Sequence, residues 1–132
     1  MIACSVSNFG SELEESLVED FLKRVRDLAG KGRLHFANNR EENNRTLAYL
    51  GIKYEHAREI ILALTTNDYA GGVGRTTRHE DEERCDFGVY VDGELVYVKL
   101  VIDSGKDRAV CISFHIARWD IPRKFRDGGD TE

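Results

Sequence analysis

The sequence lacks several features that would each indicate a function class. No apolar run among its 132 residues is long enough to cross a bilayer. The start of the chain has neither the basic region nor the long apolar stretch of a signal peptide. Its three cysteines include no CxxC pair, which argues against a disulfide framework and a structural zinc site. We therefore expect a cytoplasmic protein with reduced cysteines and with no metal, no small-molecule cofactor and no membrane partner.

An overall excess of positive charge is also lacking. The net charge of −5 counts at first against a nucleic-acid partner, because phosphates attract positive charge. The charges are unevenly distributed, however. Residues 11–20 hold five acidic side chains and no basic one, whereas residues 104–126 hold six basic side chains against two acidic ones. A phosphate-binding surface is therefore expected near the end of the chain, although mixed charges often form only a solvated surface.

The length and the hydrophobic periodicity predict a single domain, residues 1–132, with a helical part followed by a sheet. Residues 1–10 have no clear period and are expected to form a loose arm. Ser11 and Glu14 have the spacing of a capping box, which predicts that the first helix begins there. The helical part spans residues 12–64, and its predicted elements are a helix over 12–29, an edge strand over 34–37 and helices over 46–51 and 54–64.

A glycine-rich segment, residues 71–77, follows the helical part. It resembles a phosphate-binding loop only in its glycine content, since it lacks the GK[ST] ending and follows a helix instead of a strand. We interpret it as a flexible linker, and the acidic residues 80–83 extend it up to the sheet.

Residues 85–115 are predicted to form antiparallel strands, over 85–91, 94–103 and 108–115. Asp92-Gly93 is a strong signal for a two-residue hairpin. This turn sets Val89 opposite Val96, so the apolar faces of the first two strands coincide. We predict an α+β fold, an antiparallel sheet with helices packed on one face, followed by a basic tail over 117–132.

The opposite face of the predicted sheet is polar. Alternation along the strands assigns to it Asp86, Tyr90, Tyr97, Lys99, Ser113 and His115. Strict alternation also puts Cys111 on this face. Each residue has a structural explanation as well: a histidine at a strand end is often merely hydrogen-bonded, and Asp86 opposite Lys99 can be a simple cross-strand ion pair.

Together these side chains have the chemistry of metal-independent RNA cleavage. That reaction needs a base for the 2′-hydroxyl proton, an acid for the leaving 5′-oxygen and cations for the transition state. His115 can be the acid or the base, Tyr97 can donate or position a proton, and Lys99 can hold the phosphate. Basic side chains that can hold the RNA strand follow in the tail, namely Arg118, Arg123, Lys124 and Arg126.

Several short segments stand in a distinctive order along the chain: TLAYLGI at 46–52, EIILALT at 59–65, DY at 68–69, FG at 87–88, VYVKL at 96–100 and CISFH at 111–115. In order and spacing they resemble the MqsR-like toxins, which are ribonucleases of type II toxin–antitoxin systems. The resemblance covers roughly residues 20–116. It implies a RelE-like fold, metal-independent endonuclease activity on mRNA, and a cognate antitoxin protein as partner.

The resemblance also implies site residues. In that family a tyrosine on the middle strand matches Tyr97, and a basic residue after a Ser-Phe pair on the last strand matches His115. Family members commonly have a lysine just after the Asp-Tyr element, where this chain has residues 70–72, Ala-Gly-Gly. Arg75 or Arg78 in the adjoining loop can take the place of that lysine.

Two other function classes stay open at this point. The acidic balance and the missing loop lysine favour a non-catalytic RNA-binding or regulatory protein on the same scaffold. The acidic first helix favours an interaction protein that docks a basic partner.

Overall fold

The computed structural model describes the backbone of residues 2–37, 39–75 and 81–123, and the side chains of these ranges except 2–11 and 75. In this part of the chain, three α-helices accompany a five-stranded sheet with the order β1-β5-β4-β3-β2. The elements are α1 (Ile2–Gly30), β1 (Leu34–Phe36), α2 (Glu41–Leu50), α3 (Tyr54–Leu62), a 3-10 turn (Thr66–Asp68), β2 (Tyr69–Arg75), β3 (Glu82–Val91), β4 (Glu94–Asp103) and β5 (Arg108–Ile116). Among the strands of the described residues, only β1 and β5 pair in parallel.

The core lies between the sheet and the helices. Phe21 of α1 and Ile61 of α3 are almost fully buried, and they belong to one cluster with Phe87, Val98 and Phe114 of the sheet. Burying side chains of this size removes large apolar areas from water, and this removal is the main force that holds a helix on a sheet. The predicted α+β class is confirmed.

The hairpin between β3 and β4 has the predicted register. Val91 pairs with Glu94 and Val89 pairs with Val96, on either side of a two-residue turn. Asp92 and Gly93 have φ angles of 51° and 83°, the left-handed conformations that a type I′ turn requires. Since direct partners share a face, the polar and apolar faces of these strands are those that the sequence predicted.

Helix α1 is longer than predicted. It begins at Ile2 instead of near residue 12, so the expected loose arm over residues 1–10 is wrong for residues 2–10. The helix runs through Ser11, and the predicted capping box therefore does not stand at a helix start. Residues 2–10 contain no proline, so nothing in them interrupts a helix. Packed residues such as Val18 already fix the helix, and each residue that extends it gains one hydrogen bond without the cost of a new helix start.

The glycine-rich segment was predicted to be a flexible linker, but as far as residue 75 it is a strand, β2. β2 pairs antiparallel with β3, which itself begins at Glu82 within the expected acidic loop. Two register shifts interrupt this ladder, and Gly71, Gly72 and Gly74 adopt positive φ angles there. These irregularities remove the alternating pattern by which sequence analysis recognises a strand. Residues 76–80 lie outside the described ranges.

A β-bulge in β5 changes the faces of that strand. Lys99 pairs with Ser113, but the next pair is Leu100 with Cys111, which leaves Ile112 as an extra residue. Cys111 consequently lies in the apolar core, and its predicted place on the polar face is wrong. Burial raises the pKa of its thiol. Beyond the bulge, Ser113 lies on the polar face as predicted.

Helix α2 completes the edge of β5 where β1 stops. Asn43, fully buried, donates to the Ile112 carbonyl at 2.9 Å and accepts from the Phe114 amide at 3.0 Å. Thr46, one turn later, accepts from the Ile116 amide at 3.2 Å. Two side chains of one helix face thus provide the hydrogen bonds that a neighbouring strand would otherwise supply. They also satisfy backbone groups of the bulged residue and of the residues that follow it.

We expect Asn43→Ala to lower the free energy of unfolding by roughly 2–4 kcal/mol, because a buried amide and a buried carbonyl lose their partners. Denaturant unfolding measures this change. Asn44→Ala is the matched control: Asn44 is the next residue of α2 and is exposed, and its loss should cost less than about 1 kcal/mol. Equal stabilities of the two variants would contradict the assigned role of Asn43.

Candidate functional site

Tyr97 and His115 are direct cross-strand partners on the polar face of the sheet. Their ring centroids lie 5.4 Å apart at an angle of 52°. His115 is only 8% exposed, although it belongs to the face that does not carry the main core. Lys99 follows Tyr97 on the same face and pairs with Ser113. The structure therefore brings together the three side chains that the sequence predicted as catalytic.

Helix α2 contributes an acidic side chain that the sequence prediction missed. The Glu42 carboxylate lies 3.8 Å from Nε2 of His115, and Nδ1 of the ring lies 3.2 Å from the Ile116 carbonyl. Glu42 also accepts a hydrogen bond from Arg118. The predicted helix begins at residue 46, whereas α2 begins at Glu41, so Glu42 lies outside the predicted helix. The available signal was the pair of glutamates at 41 and 42, since acidic residues favour the first turn of a helix.

The carboxylate of Asp86 forms an ion pair with Arg84 and not with Lys99. Arg84 donates to Asp86 at 2.5 Å, whereas Lys99 has no ion pair with any acidic residue in the described ranges. The cross-strand pair that the sequence allowed between Asp86 and Lys99 is therefore not formed, even though the two residues are ladder partners. Lys99 keeps its charge available on the polar face.

The pKa of Tyr97 is raised to about 12. Burial of the phenol is the main cause, and the negative charge of the neighbouring Asp86 and its attraction for the hydroxyl proton add to it. Arg84 opposes the shift with its positive charge. Tyr97 therefore retains its proton at neutral pH and can donate it.

The first part of the predicted basic tail crosses the polar face. In this crossing segment, residues 117–123, Ile121 is buried and packs on Gly88 of β3. A Cβ atom at position 88 would lie 3.2 Å from the Ile121 side chain, which is tighter than most contacts, so glycine permits this close approach without displacing Ile121. Trp119 lies beside Tyr97, with ring centroids 6.0 Å apart, and Arg123 lies 5.0 Å above the Tyr90 ring.

A pocket of about 270 Å³ opens beside the crossing segment and reaches His115. Arg45 and Arg118 line it together with Glu42. Arg45 forms an exposed ion pair with Glu41 at 3.1 Å, and Arg118 pairs with Glu42. Exposed ion pairs of this kind contribute little stability, so a phosphate can replace the carboxylates as partner of either arginine.

The remaining predicted RNA-binding residues are only partly described. Arg118 lines the pocket and Arg123 lies on the polar face. The backbone of Arg75 pairs with Glu83 at the end of β2, and its side chain is outside the description. Arg78, Lys124 and Arg126 lie outside the described residues. Within the described part of the chain, no group of three or more His, Cys, Asp or Glu side chains is placed to hold a metal ion.

Comparison with known proteins adds no relative: no family model, curated protein or solved structure matches this chain. The resemblance to MqsR-like toxins therefore rests on the sequence segments quoted above. Among the residues that the structure describes, no helix combines the length and the apolar character needed to cross a membrane.

The raised pKa of Tyr97 can be measured by titration. At about pH 11 an ordinary tyrosine is mostly ionised, and we expect Tyr97 to remain mostly protonated there. Asp86→Asn should lower the pKa of Tyr97 because it removes the neighbouring negative charge. The Cζ chemical shift of labelled tyrosine, assigned with Tyr97→Phe, reports the ionisation. A Tyr97 that ionises near pH 10 in the parent protein would contradict the buried placement of its hydroxyl.

Proposed function

We propose that this protein is a metal-independent endoribonuclease of the bacterial toxin type, acting on mRNA in the cytoplasm and neutralised by a cognate antitoxin protein. One observation supports the activity above all others. Tyr97 and His115 are in ring contact on one sheet face, the Glu42 carboxylate lies 3.8 Å from Nε2 of His115, and Lys99, which has no ion pair within the described residues, follows Tyr97 on the same face. A proton acceptor, a proton donor and a cation are thus present together. The RelE-like fold implied by the resemblance belongs to the same proposal.

The proposed reaction is attack of a ribose 2′-hydroxyl on the adjacent phosphorus atom. His115 takes the 2′-hydroxyl proton, while Tyr97 gives its proton to the 5′-oxygen as the phosphorus–oxygen bond breaks. The products are a 2′,3′-cyclic phosphate and a 5′-hydroxyl end. Proton transfer from His115 through water to the Tyr97 oxygen restores both residues, so protons balance over the cycle. Lys99 stabilises the negative charge that grows on the phosphate.

The roles follow from the surroundings of each group. A phenol with a pKa of about 12 is protonated at neutral pH, which suits Tyr97 as the acid and excludes it as the resting base. The Ile116 carbonyl lies 3.2 Å from Nδ1 of His115 and can hold the ring proton on that nitrogen, which leaves Nε2 to accept a proton. The Glu42 carboxylate lies 3.8 Å from Nε2, where it favours the protonated ring that forms during the reaction. The pocket lined by Arg45 and Arg118 offers the phosphate a route to this histidine.

A second candidate function has one observation in its favour. His115 is 8% exposed and the crossing segment lies over part of the polar face, as fits a surface that binds RNA without cutting it. Such a protein retains RNA in a salt-sensitive manner and leaves its length unchanged. Incubation with total RNA in the presence of EDTA separates the two candidates, since shortened RNA with cyclic-phosphate ends is produced only by the enzyme.

We expect His115→Ala to slow RNA cleavage by about 10²- to 10⁴-fold, because general acid–base catalysis contributes a factor of this size. Tyr97→Phe removes only the hydroxyl and should also slow cleavage, by about 10²-fold or more. Initial rates on a defined RNA, measured with EDTA present, give both values.

His56→Ala is the matched control for the histidine, since His56 is exposed on α3 and does not line the pocket beside His115. It should cleave at the parent rate. If the double variant His115→Ala, Tyr97→Phe cleaved RNA or arrested growth as the parent does, the assignment of this site would be wrong.

A further inference from the structure

Trp119 stands out in the crossing segment because its side chain is large, apolar and 56% exposed. Its position is nevertheless fixed on both sides. The amide of Ala117 donates to the Leu95 carbonyl at 2.8 Å, and Ile121 is buried on Gly88. The segment therefore holds the tryptophan ring at the surface between two anchored residues. An apolar ring of this size would be more stable if it were buried away from water.

The exposed ring continues a row of aromatic side chains. Trp119 is 6.0 Å from Tyr97, and Tyr97 is 5.4 Å from His115. The row thus leads from the two proposed catalytic groups to the exposed indole. Cations flank it, since Lys99 follows Tyr97 on the strand and Arg118 precedes Trp119 with a side chain that is 70% exposed.

We propose that Trp119 is the platform on which an unpaired base of single-stranded RNA stacks beside the cleavage site. This inference rests on the proposed function, and it adds the substrate class: a strand whose bases are free to leave a helix. Proteins recognise single-stranded RNA chiefly by stacking its bases on aromatic side chains while cations hold the phosphates. The neighbours of Trp119 in sequence, Arg118 and Asp120, are both exposed, and the Arg118 guanidinium beside the indole can pair with a phosphate of the stacked strand.

The chain contains a single tryptophan, so tryptophan fluorescence, excited selectively over the five tyrosines, reports on this site alone. The probe is a short single-stranded 2′-O-methyl RNA, which lacks the attacking hydroxyl and therefore cannot be cut. We expect saturable quenching of Trp119 by this probe. An oligonucleotide of the same length without bases should give no quenching, because it offers phosphates but nothing to stack.

The variants test the same point by anisotropy of a labelled probe. Trp119→Ala should weaken binding by about 5- to 100-fold, as expected for the loss of one base–aromatic stack. Trp119→Phe keeps an aromatic face and should restore most of the affinity. Tyr54→Ala is the matched control, because it removes an exposed aromatic ring from α3 and should leave binding unchanged. Thermal unfolding establishes that each variant is folded.

The outcomes separate this inference from the proposed catalysis. Quenching by the uncleavable probe, lost in Trp119→Ala, supports the platform even if the parent protein cuts no RNA. Cleavage by the parent together with unchanged binding and rate in Trp119→Ala overturns the platform and leaves the catalytic proposal standing. Equal quenching by the base-free oligonucleotide, or quenching only by a protein partner, also overturns it.

Discussion

The bulge in β5, held by Asn43 of α2, is the constraint on which the candidate site depends. One extra residue at Ile112 lets Cys111 join the apolar core while Ser113 and His115 lie on the opposite face. The bulge lies where β1 stops, so backbone groups on this edge of β5 have no strand beside them, and leaving them unpaired would be costly. The Asn43 side chain satisfies both the Ile112 carbonyl and the Phe114 amide. The irregular strand is stable because this side chain replaces a neighbouring strand.

The same helix connects the bulge to the chemistry. Glu42 precedes Asn43, and its carboxylate faces the His115 ring. The contact that satisfies the backbone of β5 therefore also brings the first turn of α2, which carries this carboxylate, to the histidine. On the other side of His115, the register of β4 and β5 sets the contact with Tyr97. A side chain held from two elements in this way has little freedom to turn, as preorganised acid–base catalysis requires.

The crossing segment gives the polar face its outer boundary. Ile121 packs closely against the sheet at position 88, where glycine leaves room for it, and Trp119, two residues earlier, lies beside Tyr97. The site is consequently open at the pocket beside α2 and partly covered above β3 and β4. Access for RNA, in the proposed function, is therefore along the row of aromatic rings and arginines and not across a flat sheet.

The sequence by itself determined what local chemistry controls. Asp92-Gly93 dictated the hairpin, and alternation on β4 put Tyr97 and Lys99 on one face, because turn type and strand period depend only on neighbouring residues. The tertiary structure alone decided the bulge at Ile112, since its stabilising partner, Asn43, is distant along the chain. It also decided the ion pair of Asp86, the contact of Glu42 with His115 and the path of residues 117–123. Each of these joins groups that no local pattern relates. The sequence therefore indicated Tyr97, Lys99 and His115 but neither Glu42 nor the contacts that hold the site together.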